Sequence, residues 1–249
     1  AIRRPMKTPT SSDEVFAIAY RQGTSANITI NTSFNVDAVL IANTSGDGIE
    51  RPFASRLTGA SKHLYTNLTC AEDSYTFGVN KFDISNGVGL GTGSIVNSSS
   101  YFYRNYFFKR AKGFFDVVAY TGNGATPQWH SHNLTVPPEL IIIKNRNSEY
   151  NWSVGTSFTD TTVIEGYLNQ GALMSQFTYD NLYRKPTDTE FGVNSSPYVG
   201  QSGKSYIAYL FATLQNISKV GSYTGNGTSQ TIDCGFSTGC KFFLVKASS

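Results

Sequence analysis

The chain has 249 residues, of which 39% are hydrophobic and 15% charged, against about 25% charged residues in an average soluble domain. Its 20 basic and 17 acidic residues leave a formal net charge of +3 without a basic block, so we expect no nucleic-acid partner. Aromatic residues make up 14%, enough to bury a core, and no apolar run approaches the ~20 residues of a membrane span. The composition predicts an ordered, β-rich protein without membrane insertion.

The first segment, residues 1–12, has no strand pattern of its own. It carries Arg3, Arg4 and Lys7 together with two prolines, and it opens without the apolar core of a secretion signal. We predict an N-terminal arm here, whose part Ala1–Thr10 would tether the chain to a larger assembly.

The next segment, residues 13–115, consists of short runs of strand-forming residues separated by polar turns. Two such runs are Ala38–Ile41 and the aromatic segment Tyr103–Phe108. Closely spaced short strands are typical of antiparallel sandwiches. Gly87–Gly93 is rich in glycine but no helix pattern follows it, so we expect a flexible loop rather than a phosphate-binding turn.

The same elements return about 100 residues later, which indicates an internal repeat. The sequence Tyr-Thr-Gly-Asn-Gly occurs at 120–124 and at 223–227, and its Asn-Gly pair is a strong hairpin signal. A diverged copy at 17–24 aligns Tyr20 with Tyr120.

Further segments match in the same order along the chain. The pairs are Ala38–Ile41 with Leu140–Ile143, Phe77–Asn80 with Phe191–Asn194, and Tyr103–Phe108 with Tyr206–Phe211. We therefore predict an all-β fold of tandem antiparallel β-sandwich repeats, lectin-like or jelly-roll-like, whose two full units share one topology. The first repeat spans 13–115 and the second begins at 116.

The C-terminal segment is the opening of a third copy. It holds Tyr223 and the apolar run Phe242–Val245, but about thirty residues forming two strands cannot bury a core alone. We predict that this opening hairpin completes the sheet of the second repeat, which then spans 116–249. The alternative is that the third unit continues beyond residue 249.

The histidines and cysteines offer no complete metal site. His130 and His132 would place two imidazoles on one face of a strand, a two-ligand platform for zinc, but no third ligand is identifiable. Cys234 and Cys240 either close a small loop as a disulfide or remain free thiols. We expect no metal and no other cofactor.

No catalytic set is recognisable in the sequence. Gly235–Gly239 has the Gly-x-Ser-x-Gly form of a hydrolase nucleophile, but the buried strand before it and the helix after it are missing. The acids from which a glycosidase pair would come are Asp160, Glu165, Asp180, Asp188 and Glu190. Nothing singles out two of them, so we expect the protein not to be an enzyme, with a carbohydrate-degrading depolymerase as the alternative.

Three bulky residues with polar tips stand among turn residues of the second unit: Trp129, His130 and Tyr183. Binding residues concentrate on loops, so these three are the candidate ligand-binding residues, expected at loop tips. The other tryptophan, Trp152, begins a strand-like run and is expected in the core.

A series of segments in the second unit has a familiar order. The segments are Phe114–Val118, Tyr120–Gly124, Val136–Lys144, Phe191–Val193 and Tyr206–Phe211. The series resembles a repeat domain of virion proteins from marine tailed bacteriophages, closely from the second unit onward and loosely before residue 110. The resemblance implies lectin-like β-sandwiches in a tail fibre, spike or capsid-surface appendage on the virion surface, and it carries over no catalytic residues.

Fibre-type proteins usually act as symmetric copies, because linked weak sites gain avidity. We therefore expect a homo-oligomer, with a trimer favoured, other virion proteins as partners, and a contact with host surface glycans. A cellular lectin-like adhesin is the further alternative.

Overall fold

The computed structural model describes residues 6–45, 48–179 and 181–248, which form an all-β fold. Within these ranges the helices are a 3-10 turn at Ser12–Glu14 and a single turn of α-helix, α1 (Ser94–Asn97). Neither is long and apolar enough to cross a bilayer.

Nine strands come from each repeat. Those of the first unit are β1 (Phe16–Gln22), β2 (Ile28–Asn31), β3 (Ala38–Asn43), β4 (Pro52–Ser55), β5 (Lys62–Tyr65), β6 (Asp73–Ser74), β7 (Val79–Lys81), β8 (Gly87–Leu90) and β9 (Phe102–Phe108). Those of the second unit are β10 (Phe115–Thr121), β11 (Gln128–Ser131), β12 (Leu140–Asn145), β13 (Ser153–Thr156), β14 (Thr162–Tyr167), β15 (Ser175–Thr178), β16 (Tyr183–Arg184), β17 (Glu190–Val193) and β18 (Ser205–Phe211).

Each unit is an antiparallel sandwich of one large and one small sheet. In the first unit a six-stranded sheet has the order β1-β9-β3-β4-β5-β6 and a three-stranded sheet the order β2-β8-β7. In the second unit the orders are β10-β18-β12-β13-β14-β15 and β11-β17-β16. Every strand of the second unit takes the place of the strand nine positions earlier, which confirms the predicted tandem sandwiches.

The apolar runs form strands that are buried on both faces. On β12, Ile141 and Ile143 belong to the core between the two sheets of the second unit, whereas Ile142 belongs to a different core on the opposite face. On β3, Val39 and Ile41 likewise face the small sheet of the first unit. Alternation along a strand sends neighbouring residues to opposite faces, so a continuous apolar run requires a partner on each side.

The partner on the second side is the other repeat, because the two six-stranded sheets pack face to face. Phe53 of β4 stacks on Tyr209 of β18 at a ring-centroid distance of 4.0 Å, and Phe108 of β9 contacts Phe115 of β10 at 5.2 Å. Trp152 is buried in the same central core. The two sandwiches therefore form four layers, with the large sheets inside and the small sheets outside.

Polar contacts close one end of this central interface. Arg146 of the second unit binds Glu72 of the first through two charge-assisted hydrogen bonds of 2.7 and 2.8 Å. The buried Lys144 donates to the carbonyl oxygens of Asn145 at 2.8 Å and of Thr69 at 3.2 Å. Burial lowers the pKa of Lys144 to about 8.

The predicted equivalence of Tyr20 and Tyr120 is wrong by one residue. In the second unit, Tyr120 pairs with Tyr206. The counterpart of Tyr206 in the first unit is Tyr103, and Tyr103 pairs with Arg21 rather than with Tyr20. A one-residue offset changes the face of the strand, so Tyr20 is exposed. The Arg21 guanidinium lies 5.2 Å above the Tyr103 ring. In the second unit the Tyr120 ring takes the same place and stacks on Tyr206 at 5.2 Å.

The match of Phe77–Asn80 with Phe191–Asn194 is also wrong. Phe191 lies in β17, whose counterpart is β8, and the glycine-rich stretch Gly87–Gly93 is therefore not a flexible loop. Its first half is β8 and its second half is a tight turn before α1. A Cβ on Gly91 would come within 2.5 Å of the Phe77 carbonyl oxygen, so close packing requires glycine here.

The predicted completion of the second sandwich by the third hairpin is not what the structure contains. β18 lies between β10 and β12, so the second unit closes its own sheet by Phe211. In the described range 212–248, isolated bridges join Leu214 to Ser218 and Met174 to Ser248, and no strand forms.

The C-terminal segment instead lies along the seam between the two units. The Phe242 ring is 5.0 Å from that of Tyr106 and 6.2 Å from that of Phe16, both in the first unit. The carbonyl oxygen of Ala247 accepts a hydrogen bond of 3.0 Å from the N–H of Met174 in the second unit. The segment thus contacts both units without joining a sheet.

The predicted N-terminal arm is described only in part. Residues 1–5, which include Arg3 and Arg4, lie outside the described residues. The rest is held to the first unit, because Thr10 donates from Oγ1 to Glu14 at 2.5 Å and Lys7 lies 3.9 Å from the same carboxylate.

Candidate functional site

Trp129, Gly192 and Arg184 form a row across the small sheet of the second unit. Gly192 of β17 pairs with Trp129 of β11 on one side and with Arg184 of β16 on the other. Strand alternation turns this row outward: Trp129 is 44% exposed, whereas its neighbour Gln128 and Tyr183 beside Arg184 are buried. The row presents an indole and a guanidinium on one outer sheet face.

The missing side chain of Gly192 brings the two outer residues together. A Cβ at this position would lie 2.8 Å from Cβ of Arg184 and 2.9 Å from Cζ3 of Trp129. The indole therefore lies over the bare backbone of Gly192 instead of projecting from the strand, and the Arg184 Cβ approaches the same glycine from the other side. Any larger residue would displace the indole.

A buried glutamine anchors the strand that carries Trp129. Gln128 donates from Nε2 to the carbonyl oxygens of Gly200 at 2.7 Å and Asn194 at 3.3 Å, and its Oε1 accepts from the N–H of Asn123 at 3.1 Å. Asn123 belongs to the Tyr-Thr-Gly-Asn-Gly turn. The repeated turn motif thereby fixes the start of β11 and the position of the indole.

Of the predicted ligand-binding residues, Trp129 has the expected exposure and the other two do not. His130 turns inward, with its ring 3.9 Å from that of Tyr120, and burial lowers its pKa to about 4. Tyr183 lies on β16 and is fully buried, with its hydroxyl donating to Ser153 Oγ at 2.9 Å. The predicted placement at loop tips is wrong for all three, because Trp129 and His130 lie on β11 and Tyr183 lies on β16. His130 and Tyr183 also face the core, whereas Trp129 faces outward.

The first unit carries a corresponding row with different chemistry. Thr29 and Lys81 flank Gly89 in the same register, and a Cβ on Gly89 would lie 2.7 Å from Cβ of Lys81. These residues line a cavity of 440 Å³ together with Asn80 and Ser61. Both outer faces thus place a glycine beside a basic residue. The third residue of the row is the aromatic Trp129 in the second unit and Thr29 in the first.

Gly192 and Arg184 carry no motif that would identify them from sequence. The available signal is positional, since the glycine and the basic residue recur at the same sheet register in the first unit as Gly89 and Lys81. That register becomes visible once β8 is aligned with β17.

Two buried titratable residues occupy equivalent positions in the two large sheets and hold the small sheets in place. His63 of β5 accepts the N–H of Val79 through Nε2 at 2.8 Å. Glu165 of β14 accepts the N–H groups of Tyr183 at 3.0 Å and Leu182 at 3.2 Å. Val79 and Tyr183 begin the corresponding strands β7 and β16, so a histidine and a glutamate perform one structural task.

Glu165 gives the second unit a specific pH dependence. Burial raises the pKa of Glu165 to about 7, although the backbone N–H groups of Tyr183 and Leu182 act in the opposite direction. The folded state therefore holds a proton that the unfolded state has already lost, so this group's contribution to stability falls as the pH rises from about 4.5 to 7. We expect Glu165→Gln to remove this loss.

Urea unfolding at pH 5 and pH 8 measures the effect. The wild type should lose more stability between the two values than Glu165→Gln, because other titrating groups contribute equally to both proteins. An identical pH dependence of the two would contradict the raised pKa of Glu165.

The other candidate acids and metal ligands that the structure describes do not come together in one site. Asp160 is exposed and pairs with Lys185, and Asp180 lies outside the described residues. His132 donates from Nε2 to the Thr187 carbonyl oxygen at 3.1 Å. In the described ranges no three His, Cys, Asp or Glu side chains are placed to hold a metal, and the three cysteines are free thiols.

The chain is a double β-sandwich protein that carries the row Trp129–Gly192–Arg184 on the outer face of a small sheet. The chain belongs to the family described as "Domain of unknown function (DUF7483)", whose model matches residues 10–249. The match includes both units and the C-terminal segment, so the domain of this family comprises the double sandwich. No curated protein and no solved structure matches the chain.

Proposed function

We propose that this protein is a structural, non-catalytic module of a tailed-bacteriophage surface appendage, and that the outer face of β11-β17-β16 binds host surface glycans. The virion role is supported by the resemblance of the second unit to phage virion repeats. The glycan role is carried by one observation, the row Trp129–Gly192–Arg184 on an outer sheet face.

The chemistry of the row suits a sugar ring. An exposed indole offers a flat apolar face to the C–H groups of a pyranose, while a guanidinium offers several N–H donors to hydroxyl or carboxylate oxygens. The Trp129 indole lies directly above Gly192, so one ring of the ligand spans the strand toward Arg184. We propose an acidic sugar as the ligand, because the row combines the indole with the cationic Arg184, whose guanidinium also donates to the Tyr183 carbonyl oxygen at 3.1 Å.

Several linked copies of the chain would give an open, weakly binding surface a useful overall affinity for glycans. A single exposed row buries little of a ligand, so each site binds weakly, and linked copies multiply the effect. We therefore propose a homo-oligomer, with a trimer favoured, that is attached to other virion proteins. Light scattering of the purified chain measures the number of copies.

We expect Trp129→Ala to weaken binding to acidic surface polysaccharide at least tenfold, because the stacking face is lost. Affinity electrophoresis in gels containing the polysaccharide measures the change. Gly192→Val should weaken binding similarly, by displacing the indole. Phe177→Ala is the matched control, because Phe177 is an exposed aromatic residue on the edge strand β15 of the same unit.

Two outcomes would contradict the proposal. Equal retention of Trp129→Ala and Phe177→Ala would remove the glycan site, and release of reducing sugar ends during the assay would show a catalytic protein. The virion role is tested separately by immunogold labelling of purified phage particles, where labelling confined to host debris would contradict it.

A further inference from the structure

The outer face of the small sheet in the first unit carries a polar cavity with a single charged residue. The cavity of 440 Å³ lies over Gly89 of the central strand β8. Lys81 is the one charged residue among those that line it, and none of them is acidic. Small-molecule sites typically have volumes of about 300–1,000 Å³. The cavity therefore combines the size of a ligand site with a positive charge.

A β-bulge in β7 turns two consecutive side chains toward this cavity. Val79 pairs with Leu90 and Lys81 pairs with Gly89, so Asn80 is an extra residue between them. Neighbours on a regular strand face opposite sides, but here both side chains lie over the same glycine. A Cβ on Gly89 would come within 2.9 Å of Asn80 Oδ1 and 2.7 Å of Lys81 Cβ. Bulges commonly re-aim side chains next to functional sites.

The corresponding strands of the second unit pair without a bulge. Tyr183 pairs with Val193, and the next residue, Arg184, pairs with Gly192. The small sheet of this fold therefore forms without the extra residue. The amide of Asn80 is an addition of the first unit that the sandwich itself does not require.

Backbone hydrogen bonds bring hydroxyl groups to a second side of the cavity. The N–H of Ser61 donates to the carbonyl oxygen of Val79 at 2.8 Å, and the N–H of Tyr75 donates to the carbonyl oxygen of Ser61 at 2.9 Å. Ser61 and Thr76, which follows Tyr75, thereby line the cavity beside β7. Thr29 of β2, the other edge strand, lines the opposite side. Polar groups thus surround the cavity.

The fold does not use these polar side chains for its own contacts. The polar lining residues are Asn27, Thr29, Ser61, Thr76, Asn80 and Lys81. Within the described part of the chain, none of their side chains makes a hydrogen bond or an ion pair with another residue. By contrast, Lys62 on the neighbouring strand β5 donates to Ser74 Oγ at 2.5 Å. The donors around the cavity are therefore available to a ligand.

We propose that this cavity binds the sulfate or phosphate ester group of an anionic saccharide. Lys81 supplies the charge, and the Asn80 amide and the hydroxyl groups donate from other directions. Such an ester has three terminal oxygens, which match donors on several sides better than the two oxygens of a carboxylate do. The saccharide part of this inference rests on the proposed glycan-binding function. The site itself is separate, because the small sheets of the two units form different outer layers.

The experiment follows the amide chemical shifts of the isotope-labelled full chain by nuclear magnetic resonance. The probes are glucose 6-sulfate, glucose 6-phosphate, glucuronate and glucose. We expect saturable shifts at Asn80, Lys81 and Gly89 with an ester, at least tenfold weaker binding of glucuronate, and no saturable binding of glucose. The ester that binds more tightly identifies the group.

Three variants make the test specific. Lys81→Gln removes the charge and should weaken ester binding at least tenfold. Asn80→Ala keeps the charge but removes the amide of the bulge, so its loss should be smaller. Lys219→Gln is the matched control, because it changes the net charge equally at an exposed lysine outside the cavity. Unchanged shifts of the buried Val88 amide show that each variant is folded.

Three results would overturn the proposal. These are equal binding of glucose and its esters, tighter binding of glucuronate than of both esters, and equal binding by Lys81→Gln and Lys219→Gln. Ester-induced shifts confined to Trp129 and Gly192 would also overturn it, while supporting the glycan site of the second unit. Shifts at Gly89 together with failure of the Trp129→Ala test would contradict the glycan site of the second unit alone.

Discussion

Replacement of Trp152 by alanine is expected to lower the free energy of unfolding by about 3–5 kcal/mol, as for other large-to-small changes in a core. Trp152 is fully buried and stacks on Phe53 at 6.4 Å and on Tyr209 at 6.2 Å. Its Nε1–H donates to the carbonyl oxygen of Tyr65 at 2.7 Å. Phe53 and Tyr65 belong to the first unit and Tyr209 to the second, so the loss acts on both sandwiches. Urea unfolding followed by circular dichroism measures it.

The chain supplies its own control in the second tryptophan. Trp129→Ala removes an exposed indole and should change the stability by no more than about 0.5 kcal/mol. Trp152→Phe keeps an aromatic ring but loses the hydrogen bond to Tyr65, so its effect should be intermediate.

The shape of the unfolding curve tests the shared core. Because the large sheets bury each other, we expect both units to unfold in one transition, which Trp152→Ala shifts as a whole. Two transitions, of which Trp152→Ala moves only one, would contradict a common central core.

The repeat and the strand class could be predicted because they depend on local signals. Asn123-Gly124 correctly marks a turn between two strands, but the predicted hairpin is wrong because β10 and β11 lie in different sheets. The runs Ala38–Ile41 and Leu140–Ile143 require burial on two faces. What covers the second face could not be predicted in this way. It depends on residues far apart in the chain, such as Phe53 and Tyr209, whose contact has no sequence pattern.

Register was harder to predict than topology. Aligning Tyr20 with Tyr120 maximises identity, but the structural counterpart of Tyr120 is Arg21. A guanidinium and a phenol ring are both flat groups that cover the tyrosine of the closing strand. The physical role is kept while the residue type changes, so identity misplaces the strand by one residue.

The candidate site was predictable only for its most exposed member. Trp129 lies among polar turn residues, which predicts exposure correctly. Tyr183 has similar neighbours, but it belongs to the two-residue strand β16, which is too short to show alternation. Its ring packs in the core of the second unit, and its backbone N–H is held by the Glu165 carboxylate from a different sheet.

Replacement of Asp116 by alanine is expected to lower the free energy of unfolding by about 3–5 kcal/mol, because it leaves a buried guanidinium without its counter-ion. Asp116 is fully buried and pairs with Arg110, which is itself buried in the connection between the two units. The carboxylate also accepts the N–H groups of Val117 at 2.9 Å and Asn133 at 2.8 Å. Arg110 donates its own N–H to Asp37 of the first unit at 2.8 Å, so the loss falls on the junction of the repeats.

Two further variants separate the charge from the shape of Asp116. Asp116→Asn keeps the shape, but its amide NH₂ faces N–H donors and cannot accept from them, so we expect a loss close to that of alanine. Asp160→Ala removes an exposed ion pair with Lys185 and should leave the unfolding midpoint unchanged, because exposed pairs contribute little. If Asp116→Asn unfolds at the wild-type denaturant concentration, the negative charge is not what holds Arg110. The stability of the junction would then come from the packing of the central core alone.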